Sequence, residues 1–144
     1  MIAVDTNLLV YAHRQENDQN EAAFACLNDL AGGSSAWAMP WPCVHEFLAI
    51  VTHPRIFDPP SPLATALEQV NAWFESPRLQ LLAESPGYES HLEQLVRAGS
   101  VTGPRIHDAR IAALCLHHGV SELWTADRDF TRFPALRTHN PLVG

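Results

Sequence analysis

Five acids fall where folding can gather them. Asp5 ends an apolar run, Met1 to Val4, and Asp127 and Asp129 follow another, Glu122 to Thr125. Glu46 and Asp108 each lie four residues after a proline, Pro42 and Pro104, and both are expected in helix first turns. A carboxylate near a helix N-terminus gains only ~0.3–1 kcal/mol from the dipole, and capping alone accounts for many such acids. Their neighbours point further. Glu46 sits beside Phe47 and Val44, and Asp108 opens a helix that is otherwise apolar from Ile111 to Leu116. All nine basic residues are Arg, so no lysine ammonium can pair these acids. Clustered carboxylates repel, and one takes up a proton unless a cation neutralises the group. Oxygen donors without thiolate select a hard divalent ion, Mg²⁺ or Mn²⁺. Such ions activate water and clamp phosphoryl oxygens, which makes phosphodiester hydrolysis the expected reaction class.

The elements that must position these acids alternate. Short strands are expected at Met1–Val4, Ser35–Met39, Leu79–Leu82, Glu122–Thr125 and, last and shortest, Arg137–His139. A first helix begins near Leu8. A second opens at Asn17-Asp18, puts Ala23, Leu27, Leu30 and Ala31 on one face, and stops at Gly32-Gly33. Pro42 suits the first turn of a third, where Val44, Phe47, Leu48 and Val51 keep i, i+3, i+4, i+7 spacing. Ser61-Pro62 reads as N-cap and first residue of a fourth, with Leu63, Ala66, Leu67, Val70, Trp73 and Phe74 as a core stripe. Ser85-Pro86 and Gly103-Pro104 open two more, ending at Gly99 and His118. Strands separated by helices imply a parallel sheet covered on both faces, with ligands at the carboxyl ends of the strands. Neighbouring first and fourth strands would set Asp5 beside Asp127.

In that order, Val4-Asp5-Thr6-Asn7, the helical Glu46, His107-Asp108-Ala109-Arg110-Ile111-Ala112-Ala113 and Thr125-Ala126-Asp127-Arg128-Asp129-Phe130 resemble the acidic motifs of PIN-domain ribonucleases. The resemblance is nearest to the VapC toxins of type II toxin–antitoxin systems, and it covers essentially the whole chain. It implies an α/β fold, a PIN-like α/β/α sandwich with a central, mainly parallel sheet of four to five strands, as a single nuclease domain over residues 1–144. It also implies a Mg²⁺- or Mn²⁺-dependent endoribonuclease acting on structured RNA such as tRNA or an rRNA loop. A cognate VapB-like antitoxin and a homodimer are the implied partners. Matched motif by motif, Asp5, Glu46, Asp108 and Asp127 form the metal-binding and catalytic quartet. Thr6 or Asn7 shapes the pocket, and Thr125 supports it. Asp127 is favoured for the last slot because it lies nearer the strand end; Asp129 then binds through water or caps the Phe130 turn. Arg110 and Arg128 are candidate phosphate contacts, with internal pairing to Asp108 or Asp129 as the alternative.

Composition narrows the field. Without Lys there is no P-loop or Schiff-base lysine. An opening Asp also suits haloacid-dehalogenase-like phosphatases, but their second Asp is here Asn7 and their lysine is missing. The three cysteines form no Cys-x-x-Cys pair, which indicates neither a disulfide framework nor a zinc knuckle and favours a reducing, cytoplasmic setting. No apolar run reaches ~18 residues, and the first acid comes too early for a signal peptide. His45-Glu46 lacks the second His of a zinc protease motif, because residue 49 is Ala. His107 is a candidate for orienting a ligand or touching substrate, and Trp41 for stacking on a base. Phe24, Leu27 and Leu30 are candidates for an apolar face that an antitoxin helix covers. The net charge of −7 argues against a polyanion until the five acids are set aside; eleven acids against nine Arg leave −2 (9 − 11). The competing function is a catalytically inactive PIN module that binds RNA or a protein partner.

Overall fold

The computed structural model describes residues 1–143. Five strands, β1 (Ile2–Val4), β2 (Trp37–Pro40), β3 (Leu79–Leu82), β4 (Glu122–Trp124) and β5 (Thr138–His139), form one sheet in the order β3-β2-β1-β4-β5. Every neighbouring pair is parallel. Six helices flank it: α1 (Thr6–His13), α2 (Asn20–Gly32), α3 (Trp41–Val51), α4 (Leu63–Phe74), α5 (Tyr88–Gly99) and α6 (Ile106–His117). The chain builds β1, β2 and β3 outward in one direction, then returns to lay β4 and β5 on the other side of β1. That reversal opens a crevice at the carboxyl ends of β1 and β4, where open parallel sheets bind ligands. Val4 pairs with Trp124, and the Asp5 N–H donates to the Trp124 carbonyl at 3.0 Å, so Asp5 and the segment after β4 leave the sheet together.

Local chemistry sets the helix starts. Asp5 is extended (ψ 163°) and its Oδ1 accepts the Thr6 N–H at 2.8 Å, which starts α1 directly at Thr6 rather than at Leu8. Pro42 lies in the first turn of α3, as expected. Glu46 is then the sixth residue of α3 and sits in its second turn, not its first; even counted from Pro42 it is the fifth residue, beyond the ~3.6 of one turn. Asp108 does lie in the first turn of α6.

Two expectations about α4 are corrected. Ser61 does not cap it: Pro62 takes that position, and no side chain caps the helix. Flanked by prolines, Ser61 instead points at α1, where its Oγ pairs with His13 Nε2 at 2.8 Å and accepts from Arg14 Nη1 at 3.1 Å. The stripe is also narrower than read. Ala66, Val70 and Trp73 are buried, but Leu63 and Leu67 are 63% and 42% exposed, because α4 meets α3 along only one edge of its apolar face. Phe24 on α2 is likewise exposed while Leu27 is buried.

The core lies between sheet and helices. Ile111 to Cys115 of α6 are all buried, as its unbroken apolar run requires. Trp37 of β2 is fully buried, and its indole N–H donates to Ser76 Oγ at 3.0 Å. Phe47 is fully buried on the side of α3 away from solvent, edge-on to Trp73 (4.9 Å) and to His13 (5.2 Å). Phe47→Ala is expected to cost about 3–5 kcal/mol, read as a lower urea midpoint with an unchanged m-value. A loss below about 1 kcal/mol would show that α3 is not locked into the core by this ring.

Candidate active site and metal centre

Four segments bring carboxylates to the crevice. Asp5 ends β1, Glu46 comes from α3 after β2, Asp108 from the first turn of α6 and Asp127 from the turn after β4. All four line one cavity of about 160 Å³, floored by Ile50, Ile111 and Phe130. Among the described residues, no basic side chain lines it.

Polar neighbours hold the acids in place. Asp5 is 4% exposed. Its Oδ1 accepts from the Thr6 N–H at 2.8 Å and from the Cys43 thiol at 3.6 Å, and its Oδ2 accepts from Thr125 Oγ1 at 2.7 Å. Thr6 Oγ1 donates to Glu46 Oε2 at 2.8 Å, fixing the helical acid against α1. Asn7 bridges the strand ends: its Nδ2 donates to Thr125 Oγ1 at 3.3 Å and its Oδ1 accepts the Ala126 N–H at 3.2 Å. The Asp127 N–H donates to Thr125 Oγ1 at 3.0 Å. Thr6, Asn7 and Thr125 thus clamp the carboxylates from below.

Burial first, then repulsion from Glu46, raises the Asp5 pKa from 3.8 to about 6, against the opposing bonds from Thr125, Thr6 and Cys43. Asp108 is also raised, by burial and then by Asp127, Asp129 and Glu46. Both shifts come first from burial, with repulsion between the neighbouring acids adding to it. Burial and the nearby Asp5 push the Cys43 thiol well up, so it stays a donor and offers no soft ligand. The donor set is therefore oxygen only, which fits a hard divalent cation.

Asp129 lies at the rim and does not line this cavity. Carboxylate oxygens of Asp108, Asp127 and Asp129 nevertheless come within 4.8 Å of one another. The Asp129 N–H donates to Asp127 Oδ1 at 2.8 Å, which orients the Asp127 carboxylate.

Among the described residues neither Arg110 nor Arg128 pairs with Asp108 or Asp129, so the internal pairing named as their alternative role does not occur. Arg110 Nε donates instead to Glu84 Oε1 at 2.8 Å. Glu84's carboxyl is held below its ordinary value by its own backbone N–H, then by Arg110, and more weakly by His45. Arg128 is exposed and lines a second pocket of about 220 Å³ that shares Asp127 with the first. A third, of about 290 Å³, shares Glu46 and is bounded by Pro42, His45, His107 and Arg110. Trp41 is half-buried and stacks on His45, with ring centroids 5.8 Å apart and planes 30° apart. Sequence reasoning missed Cys43 and Glu84. Cys43 stands three residues before Glu46 and so shares its helix face, a signal that was available; Glu84 carries none. Another hollow, of about 860 Å³ between Arg14, the Pro59–Pro62 turn and α4, contains none of the clustered carboxylates.

A parallel sheet with a carboxylate cavity at its topological reversal defines a class: the PIN-domain family model matches residues 2–136. Ribonuclease VapC43 of Mycobacterium tuberculosis is 32% identical over 144 residues, covering all of this chain and 97% of that protein. Ribonuclease VapC33 of the same species is 31% identical over 145 positions, covering 99% of each chain. Among solved structures, the complex VapBC2 from Rickettsia felis, bound to a promoter DNA fragment, matches with a TM-score of 0.67 at 21% identity, over 97% of this chain and 98% of that one. The chain belongs to the PIN-domain family and, within it, to the VapC ribonucleases.

Proposed function

We propose that this protein is a Mg²⁺- or Mn²⁺-dependent endoribonuclease toxin, a single domain over residues 1–144 that cleaves structured RNA such as tRNA or an rRNA loop. The observation that carries this reading is the cavity itself: Asp5, Glu46, Asp108 and Asp127 converge with no basic partner, and Asp5 is pushed toward protonation. Residues that a metal-free fold would not tolerate cheaply are held rigidly by Thr6, Asn7 and Thr125. Relatives at 31–32% identity are ribonucleases by name.

Asp5, Glu46, Asp108 and Asp127 would hold the ion, with Asp129 reaching it from the rim. A divalent ion held there would supply Lewis-acid chemistry for phosphodiester hydrolysis. The chain's own contribution is positional. Thr125 and the Thr6 N–H keep Asp5 oriented, Thr6 fixes Glu46, and the Asp129 N–H sets Asp127. Ile50, Ile111 and Phe130 keep the floor dry, which strengthens each charge interaction above it. Arg128 and Arg110 stand on opposite flanks, where they can take phosphate oxygens.

A VapB-like antitoxin is the proposed inhibitor, supported by the VapBC2 complex among the structural neighbours. A homodimer and a cytoplasmic location complete the reading; no helix among the described residues is long and apolar enough to cross a membrane. Incubation with total cellular RNA and Mn²⁺ or Mg²⁺ should yield discrete fragments, and EDTA should stop the reaction. Metal-induced stabilisation without cleavage of any cellular RNA would instead make the chain a binding module.

A further inference from the structure

We propose that the 290 Å³ pocket beside Glu46 is the subsite for the nucleotide adjoining the cleaved bond, with Arg110 gripping its phosphate and His45, backed by Trp41, stacking on its base. This rests on the ribonuclease reading above. The pocket and the acidic cavity share Glu46 as a common wall, so a strand whose phosphate sits among the carboxylates has its next nucleotide at this opening. Sheet order fixes the side. Glu46 follows β2 and Asp127 follows β4, on either side of β1, so the Glu46 pocket and the Arg128 pocket flank the centre in line across the strand ends.

Its chemistry suits a nucleotide. His45, His107 and Arg110 all line it, and no acid other than Glu46 does. Its lining comes from the first two turns of α3 and α6, with Pro42 and His107 in the first, near helix ends whose positive partial charge favours an anion. Its volume falls just below the ~300–1,000 Å³ of drug-sized sites, which suits one nucleoside. Trp41, edge-on to Phe74 at 5.8 Å, braces the exposed His45 ring in a near-parallel stack. A flat imidazole held this way is a platform of the kind that takes unpaired RNA bases. Glu84 engages Arg110 through Nε alone among the described bonds, which leaves both Nη groups for phosphate oxygens and makes Glu84 a positioning residue. An exposed ion pair of this type adds little to folding stability, so the fold itself does not require it.

The test is fluorescence anisotropy in an Asp108→Asn background, which blocks cleavage. Two 5′-fluorescein probes are compared with Mg²⁺ present: a mixed-sequence 12-nucleotide RNA and an abasic ribose-phosphate strand of equal length. His45→Ala should weaken the mixed RNA about fivefold to tenfold and leave the abasic strand unchanged. Arg110→Met should weaken both and lower the slope of log affinity against log salt by about 0.7. Glu84→Ala should weaken binding when Arg110 is present and do nothing further in Arg110→Met, a non-additivity that a merely structural role would not produce. Far-UV circular dichroism and melting temperature establish that each variant is folded. If folded His45→Ala or Arg110→Met binds both strands as its parent does, the subsite is wrong. RNA binding that depends on both residues, in a wild-type protein that cleaves no RNA, would overturn the ribonuclease reading and leave the subsite standing.

Discussion

Asp5→Asn should reduce RNA cleavage by roughly 10²–10³-fold or more, the scale of losing one preorganised electrostatic partner, and yet stabilise the metal-free protein near neutral pH. Both effects come from the same burial. Folded Asp5 releases its proton near pH 6, whereas an unfolded Asp does so near its ordinary 3.8. Below the ordinary value the group is neutral in both states and costs nothing. As pH rises from about 4, the unfolded chain ionises first, and folding loses free energy until the pH passes the folded value. The loss levels at about 3 kcal/mol, because each pKa unit is worth ~1.36 kcal/mol. Asn does not titrate, so the variant gains on its parent across this window. Part of the gain is offset. Thr125 Oγ1 already accepts from Asn7 and from the Asp127 N–H, so the Asn amide keeps the Thr125 bond only by turning its oxygen there, which sets its NH2 against the Thr6 N–H. Urea unfolding in EDTA at pH 4 and pH 7 measures the difference. A gap between the two proteins that stays constant with pH would show that Asp5 is not the strained group.

Metal titration carries the second large effect. At pH 7 and a free Mn²⁺ concentration 100 times its Kd, binding to the native state alone adds about 2.7 kcal/mol. For a chain of 144 residues this is a rise in Tm of roughly 9 °C. The rise should shrink at pH 4.5, where Asp5 is largely protonated in the folded protein and Asp108, also shifted upward, holds its proton more tightly than an ordinary aspartate. EDTA should reverse it at either pH. No rise at pH 7, or a rise that grows on acidification, would remove the carboxylates as the binding group.

Much of this was legible in the sequence because it is written in local chemistry. The Gly32-Gly33 stop, the Pro42 start, the buried run of α6 and the short apolar strands all follow from periodicity and backbone preference. From them the neighbouring of Asp5 and Asp127 could be anticipated, since strands one and four are adjacent in the sheet. What escaped depends on contacts between distant segments. Arg110 is paired across 26 residues with Glu84 on the loop after β3, a choice no spacing rule encodes. Ser61 has the residue type of a cap, but the prolines beside it turn it toward His13 and Arg14. Leu63 and Leu67 keep helical spacing with Val70, yet face solvent because burial depends on where α3 lies, which periodicity alone does not fix.

The central claim is that four carboxylates from four separate segments form one hard-cation site. Crystals grown with Mn²⁺ and measured for anomalous scattering test it most directly. A Mn²⁺ peak is expected in the cavity among Asp5, Glu46, Asp108 and Asp127, with directly coordinated carboxylate oxygens slightly beyond the ~2.0–2.1 Å typical of the smaller Mg²⁺. A peak confined to the outer trio of Asp108, Asp127 and Asp129, or none in the cavity at saturating Mn²⁺, would contradict it.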